Sequence, residues 1–236
     1  MIMLFKKKNS AIPLKPALYT EKIILTSILD NIYPPGSVLP NEKELSNEIG
    51  VTRTTLRETL QRLSAQGWIT IRHGKSTIVN DYLQTGGLKI LSTAVKHTNN
   101  LPEKFIIDLL EFRYGVMPNI VSLAVTNAPD VVLNYLKKAS ILKNDAKSYT
   151  DYDWGLQQMF VTNSGNSVYS FIFNDFTFLF KILAMEYFDL QKSRDASSDY
   201  YQKLYHAIKH NGGEIEEIVK KAMNDSIEIW SGLKDE

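Results

Sequence analysis

Arg53 and Arg57 stand among Thr52, Thr54 and Thr55 in "GVTRTTLRETLQRLSAQGWITIRHGK", residues 50–75, which closes on His73, Gly74 and Lys75. These residue types suit phosphate and base edges. A guanidinium is a planar fork that grips a phosphate or the O6/N7 edge of guanine, and threonine hydroxyls add short donors. Leu56, Leu60 and Leu63 recur at i, i+4 and i+7, so one face of a helix is committed to a core. Arg53, Thr54, Thr55, Arg57 and Gln61 then point elsewhere, in the first turns, where free backbone N–H groups and the helix dipole already favour an anion. A lone arginine on such a helix is most simply a solubilising group. An ordered set of two capped helices, a basic second helix and a basic hairpin tip is better explained by a nucleic acid.

Several elements must position these side chains. "LYTEKIILTSILDNI" (residues 18–32) has helical apolar periodicity, and "YPPGSVLP" cannot continue it. Asn41 followed by Glu44 is a capping-box pattern, Gly50 can end that helix, and Thr52 can cap the next. Gly67 reads as the stop of the Thr52 helix. "WITIR" and "STIVN" are short β-branched and aromatic runs around the "HGK" turn, which predicts a hairpin. Helix, helix-turn-helix and hairpin together predict a winged helix-turn-helix over residues 1–80, a linker at 81–87 around paired glycines, and a body over 88–236. Every long segment of the body has helical periodicity, with Pro118 as a kink. The predicted class is mainly α: a winged head plus an all-α helical bundle.

The body carries its own chemistry. "YSFIFNDFTFLFKILAMEYF" (residues 169–188) places Phe173, Phe176 and Phe180 on one face and Phe171 and Phe178 on another. A helix apolar on two faces is buried centrally or lines a cavity. Arg113 lies in the apolar "LLEFRYGVM" and needs either a structural partner, with Asp108 and Glu111 the near candidates, or an anionic ligand. Tyr187 and Trp230 are core aromatics or cavity walls. His206 and His210 at i, i+4 are a possible metal pair. No nucleophile–base set, P-loop or dinucleotide fingerprint is present, so no enzyme is expected.

Bulk properties set outer limits. Net charge is +1, yet residues 1–80 carry +5 and the rest −4, a basic head on a mildly acidic body. Cysteine is absent, which excludes disulfides and is compatible with the cytoplasm. The opening "MIMLFKKKNS" has the wrong order for a secretory signal, and no long uncharged apolar run is apparent, so no membrane association is expected.

These residues also carry a family likeness. "PPGSVLPNEKELSNEIGVTRTTLRETLQRLSAQGWITIRHGKSTIVN" resembles the N-terminal domain of GntR-type bacterial transcription regulators. "TGGLKIL", "LLEFR", "GNSVYSFIFN", "YYQKL" and "EIW" resemble the FadR group of fatty-acid-metabolism regulators. The resemblance implies a homodimer on a palindromic operator in double-stranded DNA. It implies no cofactor, and a long-chain acyl-CoA as the effector that releases the DNA. Family DNA contacts carry over to Lys43, Thr52, Arg53, Thr54, Thr55, Arg57, His73 and Gly74. Family ligand contacts carry over to Leu109, Arg113, Tyr187, Ser226 and Trp230, and more loosely to Tyr82. The chain departs from the pattern at Lys43, where arginine is usual, and at Met223, where glycine is usual. Many wider GntR relatives hold a metal through an aspartate and three histidines. Asp153 and His206 align with two of those ligands, but Gln157 or Gln158 and Asp225 stand where histidines are expected. A regulator sensing a small carboxylate through a metal is therefore the alternative, and a body that binds acyl groups under a degenerate head is a third.

Overall fold

The computed structural model describes residues 15–72, 74–88, 90, 93, 103–210 and 213–232. The chain divides into two compact units, Met1–Asn100 and Leu101–Glu236.

The first unit opens with α1 (Pro16–Leu29), α2 (Glu42–Ile49) and α3 (Arg53–Ala65). Asn41 caps α2 by accepting from the N–H groups of Lys43 and Glu44. Gly50 then takes φ 78°, a left-handed position that glycine adopts without strain, and turns the chain towards α3. Thr52 caps α3 in extended backbone, its hydroxyl accepting from the Thr55 N–H. Beyond Gly67 (φ 91°), β1 (Ile69–Thr70) pairs antiparallel with β2 (Ile78–Val79), Ile69 opposite Val79. Val38 adds an isolated bridge to Ile78, tying the loop before α2 to the hairpin. Leu56, Leu60 and Leu63 are buried with Ile24, Leu25 and Ile28 of α1, and Trp68 closes the core. A short α4 (Tyr82–Thr85) follows, with Tyr82 packed on Trp68 at 5.0 Å between ring centroids. The predicted winged helix-turn-helix is the observed fold.

The second unit is wholly helical among its described residues: α5 (Glu103–Asn127), α6 (Pro129–Leu136), a 3-10 turn (Lys137–Ile141), α7 (Ala146–Asn163), α8 (Ser167–Asp189), α9 (Gln191–Lys209) and α10 (Ile215–Ser231). Pro118 lies inside α5 and does not end it. Met117, Ile120, Val121 and Ala124 of α5 join Phe160 of α7, Leu204 of α9 and Val219 of α10 in one core.

One expectation needs correction in α8. The helix is long and apolar enough, by length and composition, to cross a membrane, yet it carries Asp175 and Lys181 and so is not an uncharged run. It is not buried on both apolar faces. Phe173, Phe176, Leu179, Ala184 and Phe188 are buried, whereas Phe171 is 70% and Phe178 41% exposed. The bundle covers one face and leaves the other open, because α8 is packed chiefly against α7.

Leu56→Ala removes a fully buried side chain at the α1–α3 contact. It should destabilise the first unit by about 2–5 kcal/mol, read from the midpoint of its urea transition. A loss below about 1 kcal/mol would mean that α3 is not held by this stripe.

Candidate DNA-binding surface and ligand cavity

The leucine stripe turns the amino end of α3 outward. Arg53, Thr54 and Arg57 are exposed, and no acidic residue lies in the first turn. Thr52 is exposed as well, but its hydroxyl is engaged: it accepts from the Thr55 N–H at 3.2 Å and lies 2.9 Å from the Thr55 hydroxyl. Thr52 and Thr55 therefore shape the helix start, and Arg53 and Thr54 present it to an anion. Lys43 is exposed in the first turn of α2. Gly74 is exposed at φ 69°, with open space around it, so a ligand backbone can come close. His73 lies outside the described residues.

Arg57 does not stand alone. Its Nε donates to Glu42 Oε2 at 2.6 Å, joining α3 to the start of α2. Both partners are open, with side chains 63% and 41% exposed, so the pair is worth at most about 1 kcal/mol. A phosphate can replace Glu42 at little cost. Arg62 behaves differently. It donates to Glu21 and to the Thr59 hydroxyl, and is half-buried. The structural role that any one arginine can have thus falls on Arg62, while Arg53 and Arg57 remain on the surface.

In the second unit, α5, α7, α8, α9 and α10 line an open cavity. Leu109, Phe173, Phe176, Phe180 and Leu183 supply apolar wall. Arg113, Asp153, Gln157, Tyr187, Ser226 and Trp230 supply polar lining. Five of the six carried-over ligand positions thus meet in one cavity. The sixth, Tyr82, belongs to the first unit and packs on Trp68.

Neither near carboxylate satisfies Arg113. Asp108 takes Lys104 at 2.8 Å, and Glu111 is exposed. Arg113 lies instead over the Phe180 ring, 5.7 Å from its centroid, and its buried Nε has no hydrogen-bond partner. Trp230 Nε1 is likewise buried and unpartnered. Tyr187 stacks on Trp230 and donates to the Ser226 hydroxyl at 3.5 Å. Burial raises the Tyr187 phenol above its ordinary range, opposed by the Ser226 hydrogen bond and the Arg113 charge, so it stays protonated at neutral pH. Such a lining suits a ligand with a long apolar part and a polar or anionic end.

Reasoning from the sequence did not assign Asp153 and Gln157 to ligand binding. The Asp153 carboxylate accepts from Tyr201 Oη at 2.8 Å and from Gln157 Nε2 at 2.6 Å. Burial, and then Asp153, holds the Tyr201 phenol well above its usual range, which keeps it a donor. The i, i+4 spacing on α7 was the available signal. His206 and His210 stack at 6.3 Å on α9, and His206 lines a separate recess beside Tyr205. Among the described residues no cluster of three or more histidines or carboxylates is arranged for a metal. Met223 is buried in the cavity wall, on the face of α10 that also carries Ser226 and Trp230.

Comparison with known proteins defines the class first. Residues 18–79 match the model of bacterial regulatory proteins of the gntR family, a class of DNA-binding transcription regulators. Residues 80–236 match the FadR C-terminal domain. The chain is 39% identical over 223 residues to the fatty acid metabolism regulator protein of Shewanella halifaxensis, covering 94% of this chain and 93% of the relative. It is 37% identical to that of Klebsiella pneumoniae over 222 residues, covering 93% and 92%. The solved structure of Lar, which controls the agr system of Listeria monocytogenes, shares the fold at a TM-score of 0.60 and 15% identity, covering 96% of this chain and 100% of that one. The chain belongs to the FadR family of GntR-type regulators, and is a transcription regulator of fatty acid metabolism, not an enzyme.

Replacing Glu42 with Gln should change stability by less than about 1 kcal/mol, since the Arg57 pair is exposed. Thermal or urea unfolding checks this. A loss above about 2 kcal/mol would make Arg57 a structural residue instead of a surface available to DNA.

Proposed function

We propose that two copies of the chain bind a palindromic operator in the cytoplasm through α3 and the hairpin, and that a long-chain acyl-CoA in the α5–α10 cavity releases it. The observation that carries the ligand half is Arg113: a cation in an apolar setting, with an unpartnered buried Nε, beside a wall of phenyl rings. The phenyl wall takes the alkyl chain. Arg113, Trp230 and Ser226 take the polar end, and Tyr187 orients Ser226. On the DNA side, Lys43, Arg53, Thr54, Arg57, His73 and Gly74 meet phosphates and base edges, with Thr52 and Thr55 shaping the helix start. Release is a shift of populations: the ligand favours dimers whose heads no longer fit the half-site spacing, with coupling of about 1–3 kcal/mol.

The open face of α8 supports self-association. Val168, Phe171, Phe178, Ile182 and Met185 are 41–70% exposed. With Asp175 they recur at alternating spacings of three and four, the pattern of a two-helix seam. Exposed apolar stripes of this length mark contact surfaces.

Gel shift of a palindromic operator with and without oleoyl-CoA tests the whole reading. DNA that stays bound at saturating ligand removes the effector half. Arg57→Ala should cost about 1–3 kcal/mol in operator affinity, and unchanged affinity would count against the winged head as the reader. Arg113→Leu should retain operator binding and lose release. The double substitution Phe171→Glu and Ile182→Glu should lower the mass in light scattering from dimer to monomer, and an unchanged mass would place the dimer contact elsewhere.

A further inference from the structure

The polar part of the cavity has a direction that a plain alkyl chain does not answer. Asp153 offers only acceptors, and it uses them on Tyr201 Oη and on the Gln157 side chain. That second bond sets the Gln157 amide: its NH₂ must face the carboxylate, so its oxygen faces away. Gln157 is only 3% exposed, and its Oε1 has no hydrogen-bond partner. A buried acceptor without a donor is a standing penalty, and it singles out ligands that bring one. Arg113 contributes the complement, a buried Nε donor without a partner, in the lining of the same cavity. Arg113, Asp153 and Gln157 line this cavity together with Tyr187 and Tyr200, so both orphaned groups belong to one lining. A hydroxyl is the smallest group that both donates and accepts. A hydroxyl on the ligand therefore answers Gln157 Oε1 as donor, while Arg113 Nε takes an acceptor at the ligand's polar end.

We propose that the effector site is selective for an acyl thioester carrying a hydroxyl on its chain close to the thioester, with Gln157 as the residue that reads it. This rests on the acyl-CoA reading above and narrows its ligand class. The physical basis is the asymmetry of buried polar sites. A site built to pair with a hydroxyl discriminates strongly against the analogue that lacks it, because its own polar groups are then left unpaired. The Tyr201–Asp153–Gln157 chain contributes by holding the amide in one orientation, so that the site does not adapt to an apolar chain by turning Gln157 over.

Calorimetric titration of the full-length protein with hexadecanoyl-CoA and with 3-hydroxyhexadecanoyl-CoA tests this, with Gln157→Met as the variant of similar length. The expected result is that the hydroxyacyl ligand binds about tenfold more tightly to the unaltered protein, and that Gln157→Met removes the preference by weakening the hydroxyacyl ligand alone. The ratio in the unaltered protein is decisive even if the variant folds poorly. Equal affinities there overturn the hydroxyl selectivity and leave the acyl-CoA reading standing. A preference that survives in Gln157→Met overturns the role of Gln157. Binding of neither thioester overturns this proposal together with the reading on which it rests.

Discussion

The burial of one leucine stripe decides what the first unit shows to its surroundings. Leu56, Leu60 and Leu63 have a single apolar partner surface, the Ile24–Leu25–Ile28 side of α1 closed by Trp68. Once that contact forms, α3 has no rotational freedom about its axis. Arg53 and Thr54 must then face outward at a helix start that already carries partial positive charge. The capping residues work to the same end. Thr52 and Thr55 engage their hydroxyls at the helix start, which leaves the neighbouring arginines as the exposed groups able to meet an anion. A surface for polyanions thus follows from hydrophobic packing and ordinary capping.

In the second unit the governing tension lies between apolar walls and polar groups left without partners. A helical bundle of this composition can close its core completely, yet five helices here leave a cavity between them. Around it stand Arg113, Gln157 and Trp230, each with a buried nitrogen or oxygen that no protein group satisfies. Elsewhere in the unit, Thr150 and Ser193 also hold unpartnered buried hydroxyls, while Tyr149 pairs with Ser198, Tyr152 with the Tyr135 carbonyl and Asn163 with the Met159 carbonyl. Unmet hydrogen-bonding capacity in the lining of one apolar cavity is the mark of a binding site.

Much of this was legible beforehand, for identifiable reasons. Period and punctuation marked the helices: Asn41, Gly50, Thr52 and Gly67 stand where caps and stops were expected because capping is a local interaction between neighbours in sequence. The gathering of Leu109, Arg113, Tyr187, Ser226 and Trp230 was legible only through family resemblance, since they come from three helices far apart in the chain. The errors came from competing partners and from packing. Asp108 was a reasonable partner for Arg113 by proximity in sequence, but Lys104 lies one turn away on the exposed face and takes it. Phe171 and Phe178 were expected to be buried or to line a cavity, and they do neither, since a phenyl ring in the sequence says nothing about whether another helix will cover it. Glu42 as partner of Arg57 lies fifteen positions away, beyond the range of any pattern.

By itself, then, the sequence determined the elements, the class of the fold and the outward charge of the α3 helix start, because these depend on interactions within a turn or two of the chain. Only the tertiary structure decided which arginine is engaged in structure and which stays open, which face of α8 is covered, and that Tyr201 of α9 holds the Asp153 carboxylate to which Gln157 donates. Each of those depends on what another helix brings to a given side chain, and that is a property of packing.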